Sequence, residues 1–243
     1  MPKARYKRLV LKLSGTFLAT PEEPLLSPKQ LKATADLIAS VYQHHQPLQL
    51  VIVTGAGNLL RGRDINRVIS KGIAHSLGMM GTVINAAALA ESLRNSGIKA
   101  RFLSALHIPQ VTESYTQPRA LELLEENKVV VVGGGVGIGY LSTDTAAIIL
   151  ARQLNCQVVL KATDVDGAYD TDPQENPGAK QYEKLSFDEA ISKDLKIMDR
   201  TAFVLAKEGR IPLVIFNFAD PTALEKLLSG ERVGTIIQEN PQD

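Results

Sequence analysis

The sequence predicts an α/β fold: a doubly wound, mainly parallel sheet with helices on both faces. Three observations predict it. Short apolar runs alternate with helical patterns almost from end to end, one run is four consecutive valines (129–132), and three of the runs empty into glycine-rich turns. A run that is apolar at every residue is the mark of a parallel strand covered on both faces. No internal repeat or low-complexity linker marks a boundary, so residues 1–243 are expected to form a single domain.

The elements follow in order. Residues 8–13, Arg-Leu-Val-Leu-Lys-Leu, read as a buried strand that Ser14-Gly15 ends. Ser27 and Pro28 supply an N-cap and a first-turn proline for a helix to about residue 45, with Leu31, Leu37, Ile38 and Val41 at roughly helical spacing. A strand at 48–53 ends in Gly55-Ala56-Gly57-Asn58. A long helical region at about 65–95 is expected to loosen near Gly72 and Gly78, and Ser96-Gly97 closes it before a strand at 100–103. A helix at 118–127 precedes the valine run, which passes directly into Gly133-Gly-Gly-Val-Gly-Ile-Gly139. The next helix opens at Ser142-Thr143-Asp144 and ends near residue 155, before a strand at 158–160. Asp166-Gly167 and Asp172-Pro173 mark turns in a polar segment, 164–182, read as a hairpin-like excursion over the sheet. Helices at about 187–193, 198–207 and 221–228 and strands at 213–216 and 235–237 complete the pattern.

Composition narrows the function. With 44% hydrophobic residues the chain can bury a substantial core. Its 27 Lys plus Arg against 26 Asp plus Glu give a net charge of +1, so neither a nucleic acid nor a membrane surface is expected as partner. Any anionic ligand must then be held by local charge. The single cysteine, Cys156, can form no internal disulfide, which suits a reducing compartment. The basic start is followed by an alternating strand rather than an apolar signal core, and no apolar stretch is read as a membrane span, so a cytoplasmic protein is expected. His44, His45 and His107 have no metal-ligand spacing and read as surface or packing residues.

Ligands of open α/β sheets bind beyond the carboxyl ends of the strands, so the turns at Ser14-Gly15, Gly55–Gly57 and Gly133–Gly139 can share one crevice. Glycine lets backbone N–H groups approach phosphate oxygens; the alternative is that it simply permits tight turns. Neither Gly-x-x-x-x-Gly-Lys-Ser/Thr nor Gly-x-Gly-x-x-Gly occurs, so a phosphate site here has another design. Lys12 and Lys161 each end an apolar run, where an ammonium needs an anion unless it points outward from an edge strand. Arg61 offers a bidentate fork suited to phosphate, or else a solvated helix start. Ser142, Thr143 and Asp144 fit helix capping as well as ligand contact.

Across residues 6–237 the sequence resembles the bacterial UMP kinases, a branch of the amino-acid-kinase superfamily. The matching stretches, in family order, are Lys12-Leu-Ser-Gly15, Gly57-Asn-Leu-Leu-Arg-Gly62, Gly78-Met-Met-Gly-Thr-Val-Ile-Asn85, Ser142-Thr-Asp-Thr-Ala-Ala147, Leu160-Lys-Ala-Thr163, Val165-Asp-Gly167, Asp172-Pro173 and Ile197-Met-Asp199. The resemblance implies transfer of the γ-phosphate of ATP, with Mg2+, to UMP. It implies an acceptor site in the N-terminal lobe, an ATP site in the C-terminal lobe, and a homo-oligomer, a homohexamer. By it, Lys12, Asp144 and Lys161 are catalytic. Lys12, Ser14, Gly15, Gly57, Arg61, Thr163, Tyr169 and Asp172 bind ATP. Ala56, Arg61, His75, Val136, Gly137, Ile138, Gly139, Ser142 and Thr143 line the acceptor side, and Asp199 stands near the active centre.

The sequence departs from that pattern on the acceptor side. His75 stands where the family has a ribose-binding aspartate, and Gly135-Val-Gly-Ile-Gly139 replaces a turn with polar groups for uracil. Asp164 stands where these kinases usually have lysine, and Thr16 where they usually have glutamate. Val136 and Ile138 offer no side-chain donor or acceptor to a base. Two alternatives therefore stand beside UMP phosphorylation: a kinase for another small phosphate or carboxylate, and a nucleotide-binding storage or regulatory protein resembling the molybdenum storage proteins.

Overall fold

The computed structural model describes residues 5–60, 68–173, 175–176 and 178–239. Strand β1 (Arg8–Leu13) leads through a 3-10 turn (Gly15–Leu18) to helix α1 (Pro28–His44) and β2 (Gln49–Thr54). There follow α2 (Lys71–Asn95), β3 (Ala100–Ser104), β4 (Glu113–Ser114), α3 (Gln117–Glu125), β5 (Val129–Gly133), α4 (Thr143–Gln153) and β6 (Val159–Thr163). The chain closes with β7 (Lys184–Leu185), α5 (Phe187–Ser192), α6 (Arg200–Glu208), β8 (Leu213–Asn217), α7 (Ala223–Ser229) and β9 (Thr235–Ile237). These strands form one sheet in the order β4-β3-β5-β2-β1-β6-β8-β9-β7, parallel throughout except where β9 runs against β8.

Strand alternation builds two cores. Leu9, Leu11 and Leu13 face one side with α1, α2 and α7, while Val10 faces the other with α3, α4, α5 and α6. Side chains alternate with period two, so Lys12 belongs to the Val10 face, and Lys161, two residues after Val159, belongs to the same face of β6. β1 is central, between β2 and β6, which removes the edge-strand reading of Lys12. Helix starts follow from side chains: Ser27 accepts from the Gln30 N–H, Ser142 from those of Asp144 and Thr145, and Asp199 from that of Ala202. Cys156 is buried, and burial pushes its thiol up to about 12, so it is a packing residue. His45 is fully buried, with Nε2 2.9 Å from Glu225 Oε1.

One expectation needs correction. The long helix starts at Lys71, after Ser70, and runs unbroken through Gly72 and Gly78; the expected portion at 65–67 lies outside the described residues. Gly78 meets nothing within 4 Å of where a Cβ would stand, so it costs only its intrinsic ~1 kcal/mol, which the burial of Val83, Ala86, Leu89 and Leu93 outweighs. This helix is long and apolar enough by composition to cross a membrane, yet that inner face packs on the sheet. The excursion at 164–182 is hairpin-like, as expected, and is closed by one antiparallel bridge, Tyr169 to Gln181. β4 and β7, two residues each, were beyond any periodicity signal.

Gly133 lets α2 approach the end of β5: a Cβ there would lie 2.9 Å from both Thr82 O and Val83 Cα. Gly133→Ala is expected to destabilise the fold by about 1–3 kcal/mol, read as a lower urea midpoint at unchanged m value.

Candidate active site

The carboxyl ends of β1, β2, β5, β6 and β8 lie on one edge of the sheet, and β1 sits where the strand order turns from one half to the other. There the register pairs Lys12 with Lys161 on neighbouring strands, both on the face covered by α4. Asp144, in the first turn of α4, reaches between them: Oδ1 lies 2.9 Å from Lys12 Nζ and Oδ2 2.6 Å from Lys161 Nζ. Lys161 Nζ also donates to the carbonyl of Ile197. The Lys12 contact falls outside hydrogen-bond geometry, and Oδ1 has no hydrogen-bond donor among the described residues. An ammonium carries three hydrogens, so Lys12 has donors left for an acceptor besides Asp144.

All three groups are at most 9% exposed, so their charges are poorly screened. Burial by itself would raise the Asp144 carboxyl, but Lys161 and then Lys12 overcome it and hold the group at about 2. Burial lowers the Lys161 ammonium, and the attraction of Asp144 offsets part of that. Lys12 and Lys161 share Asp144, and Asp199 adds a second carboxylate that acts on Lys161, all beside the N-terminus of α4, which itself favours anions. Ser142 donates to Asp199, and Thr145 Oγ1 lies 3.1 Å from Asp199 Oδ1, so the starts of α4 and α6 are tied together next to the lysines.

A cleft of about 390 Å³ opens on the β2 and β5 side, lined by Ala56, Gly57, Leu60, Lys71, His75, Met79, Gly135, Leu141 and Thr143. Ala56, His75 and Thr143, read as acceptor-side residues, come together here, and Gly57, read as an ATP contact, lines the same cleft. Val136 and Ile138 do not join them: Val136 packs against the core beneath α4, and Ile138 is 66% exposed. Gly134, Gly135 and Gly137 all have positive φ, so the turn coils rather than continuing the strand. Gly137 faces Ala105 O, whereas Gly139 lies against His75 Cβ. Tyr140 also stands at the cleft, with its ring centroid 5.0 Å from that of His75 and 5.8 Å from Lys71 Nζ. Nothing in the sequence pattern signalled Lys71 or Tyr140.

On the other side, Thr163 ends β6 with its hydroxyl 2.8 Å from Val165 O and 3.1 Å from Phe216 O. Tyr169 is half-buried beside its bridge to Gln181, and the Asp172 carbonyl accepts from the N–H of Asn176 at 2.8 Å. Ser14 accepts from Thr16 N–H and caps the 3-10 turn, with Gly15 buried against the second turn. Arg61 lies outside the described residues. No three His, Cys, Asp or Glu side chains converge as a metal cluster among the described residues.

The amino acid kinase family model matches residues 7–217. The uridylate kinase of Bradyrhizobium sp. (strain ORS 278) is 39% identical over 238 residues, covering 98% of this chain and 99% of that protein. The crystal structure of UMP kinase from Bacillus anthracis superposes with a TM-score of 0.92 at 32% identity, over 97% of each chain. UMP kinase from Ureaplasma parvum gives a TM-score of 0.89 at 30% identity, over 97% of this chain and 100% of that one. Through these matches, nearly end to end, the chain belongs to the amino acid kinase family.

Proposed function

We infer that the protein transfers the γ-phosphate of ATP to UMP, giving UDP and ADP for pyrimidine nucleotide synthesis. The likeness to uridylate kinases over the whole chain supports the substrate pair. The observation that carries the chemistry is the clasp of Lys12 and Lys161 on Asp144 at the ends of two central strands. ATP is taken through Lys12, Ser14, Gly15, Gly57, Arg61, Thr163, Tyr169 and Asp172, with its adenosine side toward the half of the domain around β6 and β8. The half around β2 and β5 takes UMP in the cleft of His75.

No general base is required. A nucleoside monophosphate has a second pKa of about 6, so its attacking oxygen is already ionised at neutral pH. The barrier lies in bringing two polyanions into line. Lys12 meets the transferring phosphoryl, Asp144 holds Lys12 and Lys161 in place, and the amides of the glycine turns donate to the phosphates. Mg2+ carried on the ATP phosphates supplies further positive charge, and the donor set suits this, since Asp144 is already committed to two ammoniums.

Val136 packs against the core and Ile138 is exposed, which leaves the acceptor reading to rest on the likeness to uridylate kinases. The protein works in the cytosol as a homo-oligomer, a homohexamer. The exposed apolar stripe Ile73, Leu77, Met80 and Ile84 along α2 supports a subunit contact. ADP release measured with UMP, CMP, AMP, GMP and small carboxylates tests the reading. UMP is expected to give the highest kcat/KM; turnover with another acceptor and none with UMP would sink it.

A further inference from the structure

Asn85 is fully buried in α2, among Ala86, Leu89 and Ala90, where an amide without partners would be costly. Both its hydrogens are used: Nδ2 donates to Gly55 O at 2.7 Å and to Asn58 Oδ1 at 2.8 Å. Asn58 returns the contact, with Nδ2 3.2 Å from Asn85 Oδ1, and gives its other hydrogen to the carbonyl of Leu25. Backbone carbonyls at both ends of the network accept only N–H donors, so they fix the orientation of both amides.

The paired amides form the wall against which the first glycine turn rests. A Cβ on Gly15 would stand 2.2 Å from Asn58 Oδ1, 2.8 Å from Asn85 Nδ2 and 2.8 Å from Gly55 O. Gly55 in turn donates its N–H to Leu13 O at 2.8 Å. The turn after Lys12 and the turn opening the cleft are thus held at one separation by two side chains that lie outside the Lys12–Asp144–Lys161 clasp.

We propose that Asn58 and Asn85 are positioning residues that set the distance between the donor-phosphate turn and the acceptor turn. The inference rests on the reading of those turns as ATP and UMP loops. In-line transfer needs the reacting atoms about 3–3.5 Å apart, and a displacement near 1 Å costs up to roughly 100-fold in rate. Each nucleotide, by contrast, binds its own turn. Loosening the amide pair should therefore impair transfer without impairing either separate binding step.

The test uses the full-length protein and measures kcat with UMP together with the dissociation constants of ATP alone and of UMP alone. Asn58→Ala, at a half-buried turn position, is expected to lower kcat roughly 10- to 100-fold while each dissociation constant stays within about threefold. A folded Asn58→Ala protein with wild-type kcat overturns the proposal. So does a loss of both binary affinities in step with the rate, because that describes turns that have lost their own shape. Asn85→Leu removes the other half of the pair, and the double variant should be no slower than the slower single variant, whereas multiplying losses overturn the proposal. Should Asn85→Leu fail to fold, Asn58→Ala decides alone. Wild-type turnover in the same series separates two failures: none with UMP sinks the proposed reaction and this inference with it. Normal wild-type turnover beside an unaffected Asn58→Ala sinks the inference alone.

Discussion

Lys12→Ala is expected to lower kcat by roughly 1,000-fold, with KM for ATP and UMP each changing less than about tenfold. The asymmetry follows from where the ammonium sits. Lys12 is held at the end of a central strand by its ion pair with Asp144, and its ammonium has further hydrogens to donate. Charge that accumulates on the oxygens of a transferring phosphoryl meets a donor that needs no reorganisation, so the interaction strengthens as the transition state forms. Ground-state binding is shared among turn amides and other cations and survives the loss. Steady-state kinetics with both substrates varied gives the answer, and near-normal kcat would remove Lys12 from the chemistry.

Asp144→Asn should show the second large effect, this time on stability as well as rate. The substitution leaves two buried ammoniums at register-paired positions, on strands about 4.8 Å apart, without the carboxylate that joins them. Breaking one partner out of a buried ionic group costs about 3–5 kcal/mol, and urea unfolding at pH 7 should show a loss of that order. Activity should fall at least 100-fold in the protein that remains folded, because Lys12 is no longer held. Acid titration provides a check of sign. The Asp144 carboxyl is depressed from 3.8 to about 2, so its contribution is present above the unfolded value and is lost as pH falls from about 3.8 through 2. A shift of that size corresponds to about 2 kcal/mol. The wild type should lose this increment across the window and Asp144→Asn should not; identical acid profiles would show that the carboxylate carries no such load.

Most of the architecture was legible because burial writes periodicity into the chain. The alternation of Leu9, Val10, Leu11 and Lys12 already fixed which face the lysine shares with Val10, and the valine run announced a strand covered on both sides. Lys161 follows the same rule on β6. What the sequence could not convey is through-space pairing. Asn58 and Asn85 stand 27 residues apart, on a turn and a helix, and no local pattern distinguishes them from surface amides. The resemblance drew attention to the stretch ending at Asn85 without giving its reason. The third glycine turn is illegible for a different cause: positive φ at three glycines breaks the alternation that governs strands, so no period assigns Val136 and Ile138 to a face. Two-residue strands such as β4 and β7 exist only because a neighbour offers an unpaired edge.

The pairing of Lys12 with Lys161 across β1 and β6 ties chemistry to folding accuracy. Sliding either strand by one position would turn its lysine into the leucine-rich layer on the opposite side and bring an apolar residue to the phosphate end. Specific activity is thus also a census: it counts the molecules whose two innermost strands have closed on the right partners, and a refolded preparation can be graded by turnover where circular dichroism would see no difference.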